Sequence, residues 1–343
     1  MSAVASSRPL QVFGLSMLIV VAAMPYWANE GLLFLAGLTL IQALFALSWN
    51  LLFGYAGLAS FGHAGFFAIG AYFTGAALRY NVGLPFPLVL LLAAGFGAAV
   101  AWVVGIIALR RLAGIFLAVL TVALSEVLRI VISYAEFLGR EDGLNNIPRP
   151  KIDFGFAVLS LASGHAYYWF ILVVTGLATA LLWWLTHGRY GRVFQIIRQD
   201  PERAAFIGTN VAAYRMLAFV ISGAMAALAG ALFAPWARIV TLDEIHWLQS
   251  IQPMLNTLLG GAGSFWGPVI GAFSFTLINY HTRTFVGLSE VIVGGILLVV
   301  ILVAPDGLVG LFQRLRVRLA RKGKGGAGEP NPALKPHLDR SAP

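Results

Sequence analysis

The sequence predicts an all-α protein, a polytopic membrane bundle of about ten transmembrane helices, and three observations predict it. First, 59% of the 343 residues are hydrophobic and only 11% are charged, where a soluble domain carries about 25% charged residues. Second, the apolar residues form unbroken runs such as 88–94 and 292–304. They do not show the short alternating segments of a transmembrane barrel, and an isolated strand cannot satisfy its backbone in hydrocarbon. Third, the runs recur along the whole chain, most of them near the roughly 20 residues that cross a bilayer. A water-soluble enzyme, a disordered chain and a fibrous one are excluded. Cysteine is absent, which removes disulfides, thiolate metal sites and a cysteine nucleophile.

In order, the runs lie at 10–28, 31–53, 57–78, 86–109, 113–134, 167–187, 213–234, 249–263, 266–282 and 285–304. The first is an anchored span rather than a signal peptide, because only Arg8 precedes it and no small-x-small cleavage site follows. The run at 249–263 is short and contains Gln249, Gln252, Pro253 and Asn256, so it is expected to be broken or re-entrant. Residues 1–310 form one membrane domain with two long connections, 135–166 and 188–212. The tail, 311–343, is basic and then rich in Gly and Pro, and is expected to be disordered.

Charge sets the orientation. With ten spans both termini share a side. That side receives Arg8, Arg110, Arg111, Arg189, Arg192, Arg198, Arg203, Arg215 and eight basic residues from Arg314 onward. The other side receives Arg79, Arg140, Arg149, Lys151, Arg238 and Arg283. Basic residues gather on the cytoplasmic side, so both termini and 188–212 are predicted cytoplasmic and 135–166 external.

Small residues four apart let helix backbones approach closely in lipid. Three such ladders are Gly97-Ala101-Gly105, Ser222-Ala226-Gly230 and Gly263-Gly267-Gly271. Ionisable groups inside spans are costly and mark function by default. Glu126 and Arg129, three apart on one helix face, are either a self-neutralised structural pair or a lining of the path. His63, beside the inner end of its span, is either a hydrogen-bonded structural residue or a pathway group. Asn50 and Asn256 either bond across helices or meet a polar solute. No metal cluster, nucleophile elbow or phosphate-binding Gly-Lys-Ser is present, so neither an enzyme nor a cofactor is expected.

The cytoplasmic connection carries the most specific local signal. Asp200 is a suitable N-cap, Pro201 suits the first helical position and Glu202 suits the positive end of the dipole. Gly208 is suited to a left-handed stop. A two-turn helix over 201–207 follows, with Ala204 and Ala205 keeping one face small.

Glu202-x-Ala204-Ala205 followed by Gly208 resembles the coupling-helix motif of bacterial ABC importer permeases. Other blocks resemble the branched-chain amino acid permease family, its LivM-type subunit in particular. They are Gly191-Arg192, Ile196–Arg198, Asn50–Gly57, Ser60–Phe67, Gly70–Tyr72, the outer Gly143-Leu144, Leu259–Pro268 and Pro305–Leu308. The resemblance implies an ABC importer permease fold in a bacterial inner membrane, forming half of the path for branched-chain or related hydrophobic amino acids. It also implies a homologous second permease, two cytoplasmic ATPase subunits that hydrolyse ATP, and a periplasmic solute-binding protein. Asp200, Glu202, Ala204, Ala205 and Gly208 would then couple to the ATPase, and Arg140, Glu141 and Asp142 would meet the binding protein. Leu58, and Gly139–Asp142 before the outer Gly-Leu, depart from the family's pattern and keep its urea and short-chain amide branch open. An ion-coupled secondary transporter is the rival class; its expected unpaired midplane acid is not matched by Glu126, which has Arg129 beside it.

From the basic asymmetry, a tag after Pro343 and a probe between Arg189 and Arg215 should be reached only from the cytoplasm. A probe within 140–153 should be labelled from outside intact cells.

Overall fold

A computed structural model describes residues 23–111, 115–153, 158–282, 288–304 and 306–312. Most of the first predicted span, and the tail expected to be disordered, lie outside these residues. Each of the other nine apolar runs overlaps a helix.

The first long helix, α1 (Glu30–Asn50), opens on Asn29, whose side chain accepts a hydrogen bond from the Leu32 amide at 2.8 Å. It runs into a π-turn (Leu51–Ala56) and stops at Gly57, which takes a left-handed conformation at φ 71°. The predicted run 57–78 therefore does not start as helix. Residues 57–62 are an irregular link, and α2 (His63–Arg79) begins only at His63. Next come α3 (Phe86–Arg111), α4 (Ile115–Tyr134), a short antiparallel hairpin of β1 (Lys151–Asp153) and β2 (Val158–Ser160), and α5 (Gly164–His187). The 188–212 connection holds α6 (Arg189–Gln199) and α7 (Pro201–Phe206). After it follow α8 (Val211–Ala237), α9 (Trp247–Gly260), α10 (Gly267–Thr282) and α11 (Ser289–Val303).

Five helices among the described residues are long and apolar enough to cross a bilayer: α1 with its π-turn, α3, α4, α5 and α8. Two of them are central, with 67% of the α1 window and 61% of the α8 window buried, against 28–33% for the other three. Thus α3, α4 and α5 form the rim and turn leucines such as Leu91 and Leu177 outward. The remaining helices are shorter. At 1.5 Å per residue, the 14 residues of α9 span about 21 Å, short of the roughly 30 Å of hydrocarbon. The run at 249–263, expected to be broken or re-entrant, is one continuous helix through Pro253 that ends at Gly260. The count of ten full spans is not reproduced as ten long helices, because α2, α9, α10 and α11 have 17, 14, 16 and 15 residues.

What holds α8 at the centre is contact between backbones. A Cβ on Gly230 would collide with the Phe67 carbonyl, and one on Gly70 with the Ala227 carbonyl, so α2 and α8 cross with nothing between them. On another side of α8, Gly97 faces Ala227 and Gly223 faces Ala101 of α3. Two of the three predicted ladders thus meet at α8 but at different crossings: Gly230 of one packs on α2, while Gly97 and Ala101 of the other pack on Ala227 and Gly223. The third is partly different: Gly267 and Gly271 pack against the backbone of Gly260, Gly261 and Asn256, but the space beside Gly263 is open. The extra contact comes from Gly307, whose missing side chain admits the Gly261 backbone. Gly263 shares the spacing of the ladder but lies in the turn between α9 and α10, where spacing no longer fixes a face.

Outside the bundle, the 135–166 connection is pinned rather than loose. Leu144 pairs its backbone with Val240 at 2.8 and 2.9 Å, and the Ile147 amide bonds the Arg238 carbonyl at 3.1 Å. Leu144, Ile147, Val240 and Ile245 are buried together with Tyr72 of α2.

Substituting Gly230 by Val should lower the melting temperature of the detergent-solubilised protein by several degrees, because overpacking alone costs about 1–3 kcal/mol. Gly263→Ala, in open space, should leave it unchanged.

Candidate functional site

The predicted polar residues divide between the interior and the two surfaces. His63 is fully buried at the start of α2. The Ser48 hydroxyl donates to the Phe45 carbonyl at 2.7 Å and the Ser222 hydroxyl to the Ser48 carbonyl at 2.6 Å. With both hydroxyl protons so used, His63 Nε2 is the donor to Ser48 Oγ at 2.9 Å, and Ser222 Oγ lies 3.4 Å away. The ring stacks on Phe45 with centroids 5.5 Å apart. His63 Nδ1 has no partner, and no carboxylate reaches the ring among the described residues. The arrangement ties α1, α2 and α8 at one level; it has no acid to pass a proton to.

Other groups secure the same level. The Ala64 amide, one of the donors that a helix start leaves free, is capped by Ser250 Oγ of α9 at 2.9 Å. Thr121 Oγ1 of α4 receives the Phe61 and Gly62 amides at 3.2 and 3.3 Å. The Trp49 indole donates to the Ser60 carbonyl at 2.8 Å. The irregular link 57–62 is therefore held by side chains from α1 and α4, and the first turn of α2 by one from α9. Sequence reasoning did not select Ser48, Thr121 or Ser250; each is a single hydroxyl whose partner is distant in sequence.

Asn50 and Asn256 are 1% exposed, and the Asn50 amide and Asn256 Oδ1 have no hydrogen-bond partner. Asn50 lies over Gly54, beside the Ala262 carbonyl. Glu126 and Arg129 pair with each other at 2.7 Å and are partly exposed. The geometry leaves them as a mutual pair on α4, separate from the His63 cluster. In the 135–166 connection Arg140 pairs with Glu136, while Glu141 and Asp142 are exposed. Among the described residues no group of three or more His, Asp or Glu could hold a metal.

The 188–212 segment is built with more precision than its length suggests. Asp200 Oδ1 accepts the Glu202 and Arg203 amides at 3.1 and 3.0 Å, with Pro201 in the first helical turn. Arg203 folds back onto Asp200 Oδ2 at 2.7 Å. At the other end Gly208 N bonds the Ala205 carbonyl and Thr209 N the Ala204 carbonyl, at 2.9 and 3.0 Å. With Gly208 at φ 84°, this is a Schellman stop. The helix ends at Phe206, one residue earlier than the sequence suggested. Ala204 and Ala205 do not share a face: Ala204 is fully buried and Ala205 is exposed. Beside Ala205 stand Phe206, 90% exposed, and Ile207, 72% exposed. Sequence reasoning gave these two residues no role, though an apolar pair before a Gly stop was visible.

Behind α7, α6 buries Phe194 and Ile197 and brings Gly191 against the Thr186 backbone of α5. Arg198 of α6 donates to the Gly54 carbonyl in the π-turn, and its stem packs over Gly57. The helices α6 and α7 thus connect the exposed Phe206, through the Arg198 hydrogen bond, to Gly54 of the π-turn, six residues from Ser48.

Comparison with known proteins gives consistent relatives. A sequence profile for the permease component of branched-chain amino acid transport systems matches residues 31–304. The chain is similar to LivM, the high-affinity branched-chain amino acid transport system permease protein, of Salmonella typhimurium and of Escherichia coli. Each is 28% identical over 323 residues, covering 88% of this chain and 76% of the relative. It is also similar to Escherichia coli LivH, a permease protein of the same type of system, with 25% identity over 78% of this chain and 91% of LivH. No solved structure matches.

Replacing Ser222 by Ala removes the donor to the Ser48 carbonyl. It should destabilise the solubilised protein by about 0.6–2 kcal/mol, read as a lower melting temperature, while leaving membrane insertion intact.

Proposed function

The chain belongs to the family of permease components of branched-chain amino acid transport systems, and from that premise we propose that it forms half of a pathway importing branched-chain or related amino acids. It is a multi-pass membrane subunit of an ABC importer. Its companions in this reading are a second, LivH-like permease, two cytoplasmic ATPase subunits and a periplasmic solute-binding protein. Both termini lie in the cytoplasm. The names borne by LivM and LivH support the solute class. Leu58, one of the departures that kept the urea and amide branch open, is 4% exposed and buried in the core, so it offers no contact to a solute.

The observation that carries the reading is the geometry of α7. A two-turn helix capped at both ends, fixed to the protein by Ala204, presents Ala205, Phe206 and Ile207 to solvent. Apolar side chains of this kind act as anchors when they enter a pocket on a partner. In an importer the partner here is an ATPase subunit, whose closure would push α7. The α6 helix would carry the displacement through Arg198 to the buried π-turn that follows α1. The exposed Glu141 and Asp142 would meet the binding protein on the opposite side.

The test uses four variants expressed with all partner subunits. Ala205→Trp and Phe206→Asp should abolish uptake and weaken co-purification of the ATPase. Gly208→Val should lose uptake through its penalised left-handed turn. Glu202→Ala, which costs the helix only about 0.3–1 kcal/mol, should retain most uptake. All four should reach the membrane at parental levels. Parental uptake by Ala205→Trp would return the segment to a capped connector.

A further inference from the structure

A second polar site lies at the opposite end of the bundle, where the chain leaves α8 and enters the short helix α9. Residues Leu242–Ile245 form one 3-10 turn that carries Asp243 and Glu244 side by side. Asp243 is exposed, whereas Glu244 is half-buried, and Glu244 Oε2 accepts a hydrogen bond from Gln249 Nε2 at 2.9 Å. Burial pushes the Glu244 carboxyl above the usual carboxylate range; the Gln249 bond opposes this and the Asp243 charge adds to it. Among the described residues no Lys or Arg makes an ion pair with either acid. Two adjacent carboxylates without a cation, one of them partly desolvated, are costly unless something positive completes them.

Tyr72 of α2 lies beneath this turn. It is 2% exposed, packs with Val240 and Ile245, and its hydroxyl has no hydrogen-bond partner. The charges that act on that hydroxyl are those of Glu244 and Asp243, yet neither carboxylate bonds it. A buried hydroxyl left unbonded near two acids is costly, so it calls for a further partner. That partner must offer donors to a carboxylate and to a phenol oxygen at once, and must carry positive charge. A primary ammonium has three donors and one charge and satisfies both. Gln249, Gln252 and Asn256 then recur along one face of α9, leading from this place to the buried amide of Asn256.

We propose that Glu244 and Tyr72, with Gln249 holding the carboxylate, form an outer site that binds the primary ammonium group of the transported solute. The site stands on the geometry alone; its identification with an amino acid rests on the function proposed above.

The assembled transporter, built from full-length subunits in nanodiscs, tests both separately. Dicyclohexylcarbodiimide labels carboxyls held in apolar surroundings, and peptide mass spectrometry reads the label on Glu244. Isoamylamine should reduce that labelling about tenfold, while 4-methylpentanoate, which lacks the ammonium, and sodium chloride at equal concentration should not. Tyr72→Phe removes a hydroxyl that supports no other bond, so its melting temperature should match the parent. It should need about fivefold more amine for half-protection, in keeping with one lost hydrogen bond. Absence of labelling in the parent, absence of protection, or equal protection by sodium chloride would overturn the proposal. Protection by the solute-free binding protein alone would also overturn it, assigning the ammonium to a lysine of the docking protein. Leucine uptake is measured in parallel: protection without uptake retires the importer's solute class and keeps the site, and uptake without protection does the reverse.

Discussion

Everything in this bundle depends on α8 touching its neighbours backbone to backbone. In lipid, apolar side chains gain nothing by leaving a medium as oily as themselves, so close approach and dispersion must hold helices together. Gly70, Gly97, Gly223 and Gly230 remove the side chains that would keep α2, α3 and α8 apart. Once the backbones meet, the Ser222 hydroxyl can reach the Ser48 carbonyl, and His63 can be held between two serines. The polar centre is thus a consequence of the small residues around it. Rim helices α3, α4 and α5 add an apolar face to this core and little polar chemistry.

The central tie also explains how a helix can begin inside the protein. Starting α2 at His63 exposes backbone donors that water cannot satisfy, and the structure answers with hydroxyls from two other helices. A break held by borrowed side chains is more easily shifted than a continuous helix, since its bonds are few and lie between separate elements. The π-turn on one side of this break is the part of α1 that Arg198 grips. The α6–α7 unit therefore bears on a place in the core where regular helix is interrupted.

How much of this was legible in the sequence depends on range. The Asp200-Pro201-Glu202 cap and the Gly208 stop follow from neighbours within a few residues, and they were placed to within one residue. The small-residue ladders on α3 and α8 were legible because four-residue spacing fixes a helix face. Gly263 had the same spacing but falls in a turn, where spacing carries no such meaning. The π-turn, the hairpin at 151–160 and the Leu144–Val240 pairing were not legible, because each is decided by contacts made across the fold. For the same reason Asn50, His63 and Asn256 were recognised as unusual, while the partners that separate structural from solute-facing roles were not. Tyr72, noted only as part of a family-like block, was given no role because only its lack of a partner distinguishes it.

The uneven helix lengths bear on the membrane itself. At 1.5 Å per residue, the 27 residues of α8 reach about 40 Å, whereas the 14 to 16 residues of α9, α10 and α11 reach about 21–24 Å. A hydrocarbon layer of about 30 Å fits neither: α8 must tilt, and beside the shorter helices the lipid must thin or be replaced by protein. The apolar side chains of Leu277, Leu298 and Leu302 on α10 and α11 are exposed in the isolated chain, so this flank meets whichever is present. Covering a short flank with another subunit relieves the deformation, and the relief grows with bilayer thickness. Lipid acyl-chain length thereby becomes a thermodynamic input to subunit association, acting through elasticity and without any lipid-specific contact.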